Sequence, residues 1–120
     1  MIYTTYFAKL RKLPKHIIPV AICGKMPAGY TGLQYKQLAP RFDFFTEWKV
    51  TGDNDYFVRS YNDIVLGSLS QSFVVDTLKS MTGSEDIALV CYEKSTDFCH
   101  RHLVADWLRA AGIQVEEFQE

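Results

Sequence analysis

A chain of 120 residues, 48% hydrophobic and 22% charged with a net charge of −1, has the size and apolar content of one globular domain spanning residues 1–120. Three cysteines (Cys23, Cys91, Cys99) make an odd count for a disulfide framework, and no apolar run approaches the ~18 residues a membrane helix needs. The first six residues lack the charged and apolar regions of a signal peptide, and a pI near 6.3 does not suit tight binding to a nucleic-acid duplex, so the expectation is a cytoplasmic protein with reduced thiols.

In chain order, Ile2 to Tyr6 is rich in aromatic and β-branched residues and reads as a first strand. Phe7 to Leu13 is a short basic connector stopped by Pro14. Ile17 to Cys23 reads as a second strand, in which Pro19 removes a ladder donor and must sit at a bulge, an edge or the strand's start. Gly24 to Gly32 carries three glycines and a proline, a loop open enough to wrap a ligand. Leu33 to Leu38 is read as a short helix ended by Pro40. Phe42, Phe44, Phe45 and Trp48 mark a second helical segment, stopped at 51–55, and Phe57, Tyr61, Ile64 and Val65 a third. Ser70 or Ser72 can cap a helix through Phe73, Val74, Leu78 and Met81, with Gly83 as its stop. Ile87 to Tyr92 is apolar on both faces, as a central parallel strand is. A helix from about Asp97 to Ala111 and a strand from Ile113 to Phe118 complete a βαβ unit. The expected fold is α/β, a mostly parallel sheet of about four strands flanked by helices.

Charge is unevenly placed along the chain. Up to Phe42 there are seven cations (Lys9, Arg11, Lys12, Lys15, Lys25, Lys36, Arg41) and no carboxylate. Folding can interleave these with the acidic remainder, or the basic third can line an anion-binding surface.

Reactive side chains crowd the corner between the Ile87 strand and the helix after it, where α/β proteins bind ligands. A helical wheel puts Cys99 on the apolar face, His100 near its centre and Arg101 at its margin. With Thr96 or Asp97 as N-cap, Cys99 sits in the first turn, where the helix dipole, His100 and Arg101 favour a thiolate nucleophile. The alternative is a small apolar residue packing the helix onto the sheet. His100 fits a core histidine bonded to a backbone carbonyl, or a base. Arg101 can hold a phosphate or carboxylate bidentately, or pair with Glu93 or Asp97. Glu93 and Lys94 leave the strand's end beside Tyr92, where binding is their plausible use. Cys23, Cys91, Cys99 and His100 could gather into a Cys3His set, but their spacings match no compact zinc motif and no metal is assigned. Walker A, GxGxxG, GxSxG and HExxH motifs are absent from the sequence.

The run Cys91-Tyr92-Glu93-Lys94, a short loop, Cys99-His100-Arg101, a helix, Gly112 and a strand resembles the signature of the domain-of-unknown-function 488 family. Leu38-Ala39-Pro40 and the Phe57 to Tyr61 segment match as well, and small phage-like or Gram-positive bacterial members have this length and order. The resemblance implies a compact α/β domain with a pocket at this corner and no established reaction; the cytoplasm expected above would be that of the host for a phage-encoded chain. Many relatives place an Arg after the second strand, where this chain has Cys23-Gly24-Lys25. Lys25 keeps the charge but not the fork of a two-arginine anion clamp.

Three functions remain open on these residues. The first is binding, with or without processing, of a small anionic, phosphate-bearing or nucleotide-like ligand by Arg101, Glu93, Lys94, Lys25 and Tyr92. The second is a Cys99-dependent transferase or hydrolase with His100 as its base. The third is an interaction factor of phage or bacterial origin that catalyses nothing. No cofactor is assigned, and neither duplex nucleic acid nor membrane is expected as a partner.

Overall fold

The computed structural model describes residues 1–93 and 97–119. Among them, β1 (Ile2–Tyr6), β2 (Ile18–Ala21), β3 (Leu33–Gln34), β4 (Ile87–Cys91) and β5 (Val115–Glu117) form an all-parallel sheet in the order β3-β2-β4-β1-β5. β4 is central and every residue of it is buried, which explains its unbroken apolar run. Pro19 is tolerated because β3 reaches only Val20 and Ala21, so the donor it lacks would point past the end of that edge strand.

The expected helix over Leu33 to Leu38 is not formed. Leu33 and Gln34 instead add the fifth strand, anchored by the Tyr35 amide on the Ala21 carbonyl (2.8 Å), and Lys36–Leu38 is a single 3-10 turn. Six residues closed by a proline cannot repay helix nucleation, whereas the open edge of β2 offers hydrogen bonds at once.

Among the described residues the α-helices are α1 (Phe42–Thr51), α2 (Asn54–Ser60), α3 (Gln71–Thr82) and α4 (His100–Ala110). α2 and α3 start on side-chain caps, with Asp53 accepting from the Tyr56 amide and Ser70 from the Phe73 amide. α1 and α3 both end on a left-handed glycine, Gly52 and Gly83. All four helices pack on one face of the sheet: Phe44, Phe57, Val74, Leu78, Val104 and Leu108 meet Ile2, Val20, Ile22, Ile87 and Leu89 in the main core. A smaller cluster of Ile17, Ala88 and Phe118, flanked by Tyr3 and Leu13, covers the other face. No described helix is long and apolar enough to cross a membrane.

Candidate functional site

The connection leaving β2 runs outward to β3, while the one leaving β4 runs the opposite way through α4 to β5. The carboxyl ends of these neighbouring strands therefore form a topological switch point, where diverging connections leave a crevice. A cleft of about 510 Å³ lies there, walled by Cys23, Gly24 and Lys25 after β2, by Cys91, Tyr92 and Glu93 at the end of β4, and by His100 of α4. Pro40, Phe42 and Phe45 close it from the α1 side. The two exit loops are tied together by the Tyr92 hydroxyl, which donates to the Lys25 carbonyl at 2.6 Å, and Phe7 packs edge-on against the Tyr92 ring at 5.0 Å.

An aromatic chain positions the start of α4. Phe98 sits between Trp48 (5.6 Å) and Phe57 (5.2 Å), Phe57 stacks on Tyr61 (5.9 Å), and Tyr61 lies against His100 (5.5 Å). The His100 Nε2 hydrogen bond to the Ile22 carbonyl is 2.7 Å long. A carbonyl only accepts, so Nε2 carries the hydrogen, and in the neutral ring Nδ1 keeps the lone pair. That Nδ1 lies 4.0 Å from the Cys99 sulfur.

The helix begins later than the sequence suggests. Cys99 is itself the N-cap, in an extended conformation (φ −155°, ψ 141°), and its side chain caps no amide. Its sulfur is buried with those of Cys23 and Cys91. A hydrogen bond with Cys91, and then burial, push the Cys99 thiol well up, and His100 offsets only part of this. The thiolate expected from a first-turn position is thus not what this environment favours. Burial likewise pushes Cys23 up to about 11.

Arg101 is placed quite differently from a ligand-facing clamp. It is 0% exposed. Nε donates to Glu117 Oε1 (3.2 Å), Nη2 to Oε2 (2.9 Å), and Nη1 to the Glu93 carbonyl and the Cys91 sulfur (3.6 Å). Burial works against its charge, but Glu117 and Cys91 outweigh that and hold the guanidinium more firmly protonated than usual. Neither Glu93 nor Asp97 is the carboxylate partner. Glu117 takes that place because the register Thr4↔Glu117 sets it on the α4 side of the sheet, where Thr4 Oγ1 also donates to it at 2.6 Å.

Lys25, Tyr92, Glu93 and His100 thus come together at the cleft, Cys99 lies behind it, and Arg101 lies in the core. Lys94 and Thr96 fall outside the described residues. Of the seven cations before Asp43, Lys25 is the one in the cleft wall. The sequence reading missed Phe42 and Phe45. The available signal was an excess of aromatics: Phe42, Phe44, Phe45 and Trp48 are more than one buried stripe on a ten-residue helix can use, and Phe42 is 83% exposed.

Comparison with curated proteins and with solved structures gave no match. A family model does match, over residues 7–112: DUF488-N3a, described as the active DUF488-N3 subclade. The matched span takes in the Lys25 loop, α1, the end of β4 and the Cys99-His100-Arg101 start of α4, and so the whole cleft. With nearly all of its length and every wall of its cleft inside that match, the chain belongs to the DUF488-N3a family.

Proposed function

We propose that the cleft between the ends of β2 and β4 binds a small phosphate-bearing, nucleotide-like ligand. The observation that carries this reading is the coincidence of the cleft with the topological switch point. Its volume of about 510 Å³ falls within the ~300–1,000 Å³ usual for small-molecule sites. Its walls divide by chemistry. Phe42 and Phe45 offer ring faces for a base, Lys25 a cation for the anionic end, and Glu93 an acceptor for hydroxyl or amino groups. The first turn of α4 adds the positive end of a helix dipole. Arg101 is not a ligand contact in this reading, since Glu117 already neutralises it, and its role is to hold the floor of the site.

The ligand is one met in the cytoplasm of a bacterium or of a phage-infected host. The description of the family as an active subclade agrees with processing of that ligand as well as binding. Calorimetric titration of a panel of nucleoside monophosphates and sugar phosphates tests the reading. One ligand class should bind wild type and bind Lys25→Ala at least about 10-fold more weakly, the loss of roughly one charge-assisted hydrogen bond. Absence of binding across the panel, or equal affinity for both proteins, would sink it.

A further inference from the structure

The geometry points to a zinc-type metal site made by Cys91, Cys99 and His100 at the inner wall of the cleft. One ligand atom from each of these buried residues lies within 4.8 Å of those of the other two. A tetrahedral Zn2+ ion, with bonds of about 2.3 Å to sulfur and 2.0–2.1 Å to nitrogen, sets such atoms about 3.6–3.8 Å apart. The Cys99 sulfur and His100 Nδ1 are already at 4.0 Å. Closing the set therefore asks for shifts of about 1 Å or less in these ligand atoms.

The surroundings are those of a ligand set, beyond what packing requires. His100 donates its other ring N–H to the Ile22 carbonyl at 2.7 Å, the outer contact that fixes tautomer and ring orientation in metal-bound histidines. That contact leaves Nδ1 as the coordinating atom. Arg101 Nη1 points at the Cys91 sulfur at 3.6 Å, a charge-assisted contact suited to a thiolate. Coordination releases one proton from each thiol to solvent, so a dication with two thiolates is a neutral centre. The adjacent Arg101–Glu117 pair is neutral too, so the assembly leaves no net charge buried.

Two thiolates and an imidazole select a borderline-soft ion such as Zn2+ over Mg2+ or Ca2+. Three protein ligands leave a fourth position, and because Cys91 and His100 are also cleft walls, that position opens toward the cleft. Cys23 packs against both thiols, but its own sulfur donates to the Lys25 carbonyl at 3.4 Å, which holds it outside the set. The metal site stands on this geometry whether or not the cleft takes a nucleotide-like ligand, and it is tested with the metal alone.

The test uses the full, reduced, metal-stripped chain. Co2+ should bind once per chain, giving thiolate-to-cobalt charge-transfer absorption for two sulfurs and the strong visible bands of tetrahedral coordination, and Zn2+ should displace it. Zinc affinity, read by competition with a chromophoric chelator, should fall by more than the ~100-fold that outer-contact changes cause in Cys99→Ser and in His100→Ala. Cys23→Ser should stay within a few-fold of wild type. The wild-type cobalt spectrum decides the donor set without any variant having to fold. No stoichiometric binding, a spectrum without thiolate charge transfer, or loss in Cys23→Ser equal to that in Cys99→Ser would overturn the assignment.

Discussion

Arg101 grips Glu117 through two parallel bonds, Nε to Oε1 at 3.2 Å and Nη2 to Oε2 at 2.9 Å, from a position with no solvent exposure. The pair ties the first turn of α4 to β5, and the third guanidinium nitrogen reaches back to the end of β4. A charge-bearing residue that looks like a ligand clamp in the sequence is thus the fastening of the corner on which the cleft is built.

Removing Arg101 strands the Glu117 carboxylate, whose side chain is only 20% exposed. Arg101→Ala should lower unfolding free energy by about 3–5 kcal/mol, and Lys at this position should recover little because it cannot fork. The double change Arg101→Met with Glu117→Leu should recover most of the loss. Denaturant unfolding of the three variants checks the ordering, and Arg101→Ala as stable as wild type would contradict it.

Tyr61 is fully buried, and its hydroxyl donates to the Leu38 carbonyl, linking the helical layer to the turn before α1. Tyr61→Phe leaves that carbonyl without a partner at almost unchanged volume. The expected cost is about 1–3 kcal/mol in equilibrium unfolding.

Thiol reactivity separates the anion-binding account from a Cys99 nucleophile. In the metal-free protein at neutral pH, Cys99 should alkylate far more slowly than a free thiol, because Cys91 and burial both push its thiol up. Cys23, which burial pushes up to about 11, should also react more slowly than an unhindered thiol. All three cysteines should label alike once the chain is unfolded. Selective fast modification of Cys99 in the folded protein would revive the transferase or hydrolase reading.

Phe42 is a clean probe of the cleft because it contributes little to the fold. At 83% exposure its replacement by alanine should change stability by no more than about 0.5 kcal/mol. Loss of a base–aromatic stack should nonetheless weaken ligand binding by about 1–3 kcal/mol. Calorimetry and thermal unfolding of the same variant preparation read both effects.

How far the sequence discloses this arrangement depends on the range of the interactions involved. β4, α3 and the body of α4 are carried by local periodicity and caps, so the apolar run from Ile87, a serine cap at Ser70 or Ser72 and the Gly83 stop are readable directly, and the fold selects Ser70 and ends the strand at Cys91. The corner itself is readable from its density of reactive residues. β3 is not, because two residues carry no period and exist as a strand only against the edge of β2. The partner of Arg101 is not readable either, since Glu117 faces α4 only through the pairing of β5 with β1. The start of α4 shifts for a related reason: Cys99 turns toward Cys91, a neighbour that only the folded sheet supplies. Phe42 and Phe45 reach the cleft from a helix about twenty residues beyond Lys25 and about fifty before Cys91, although the surplus of Phe42 over the stripe of Phe44, Phe45 and Trp48 is visible in the sequence.

The most direct test of the cleft as the ligand site is amide chemical-shift mapping of the isotope-labelled chain, titrated with the tightest-binding nucleotide of the panel. Perturbed amides should cluster at Cys23 to Lys25, Phe42 to Phe45 and Cys91 to Glu93, with the Leu10 to Leu13 surface unmoved. Saturable shifts centred anywhere else, or none at all, would contradict the account.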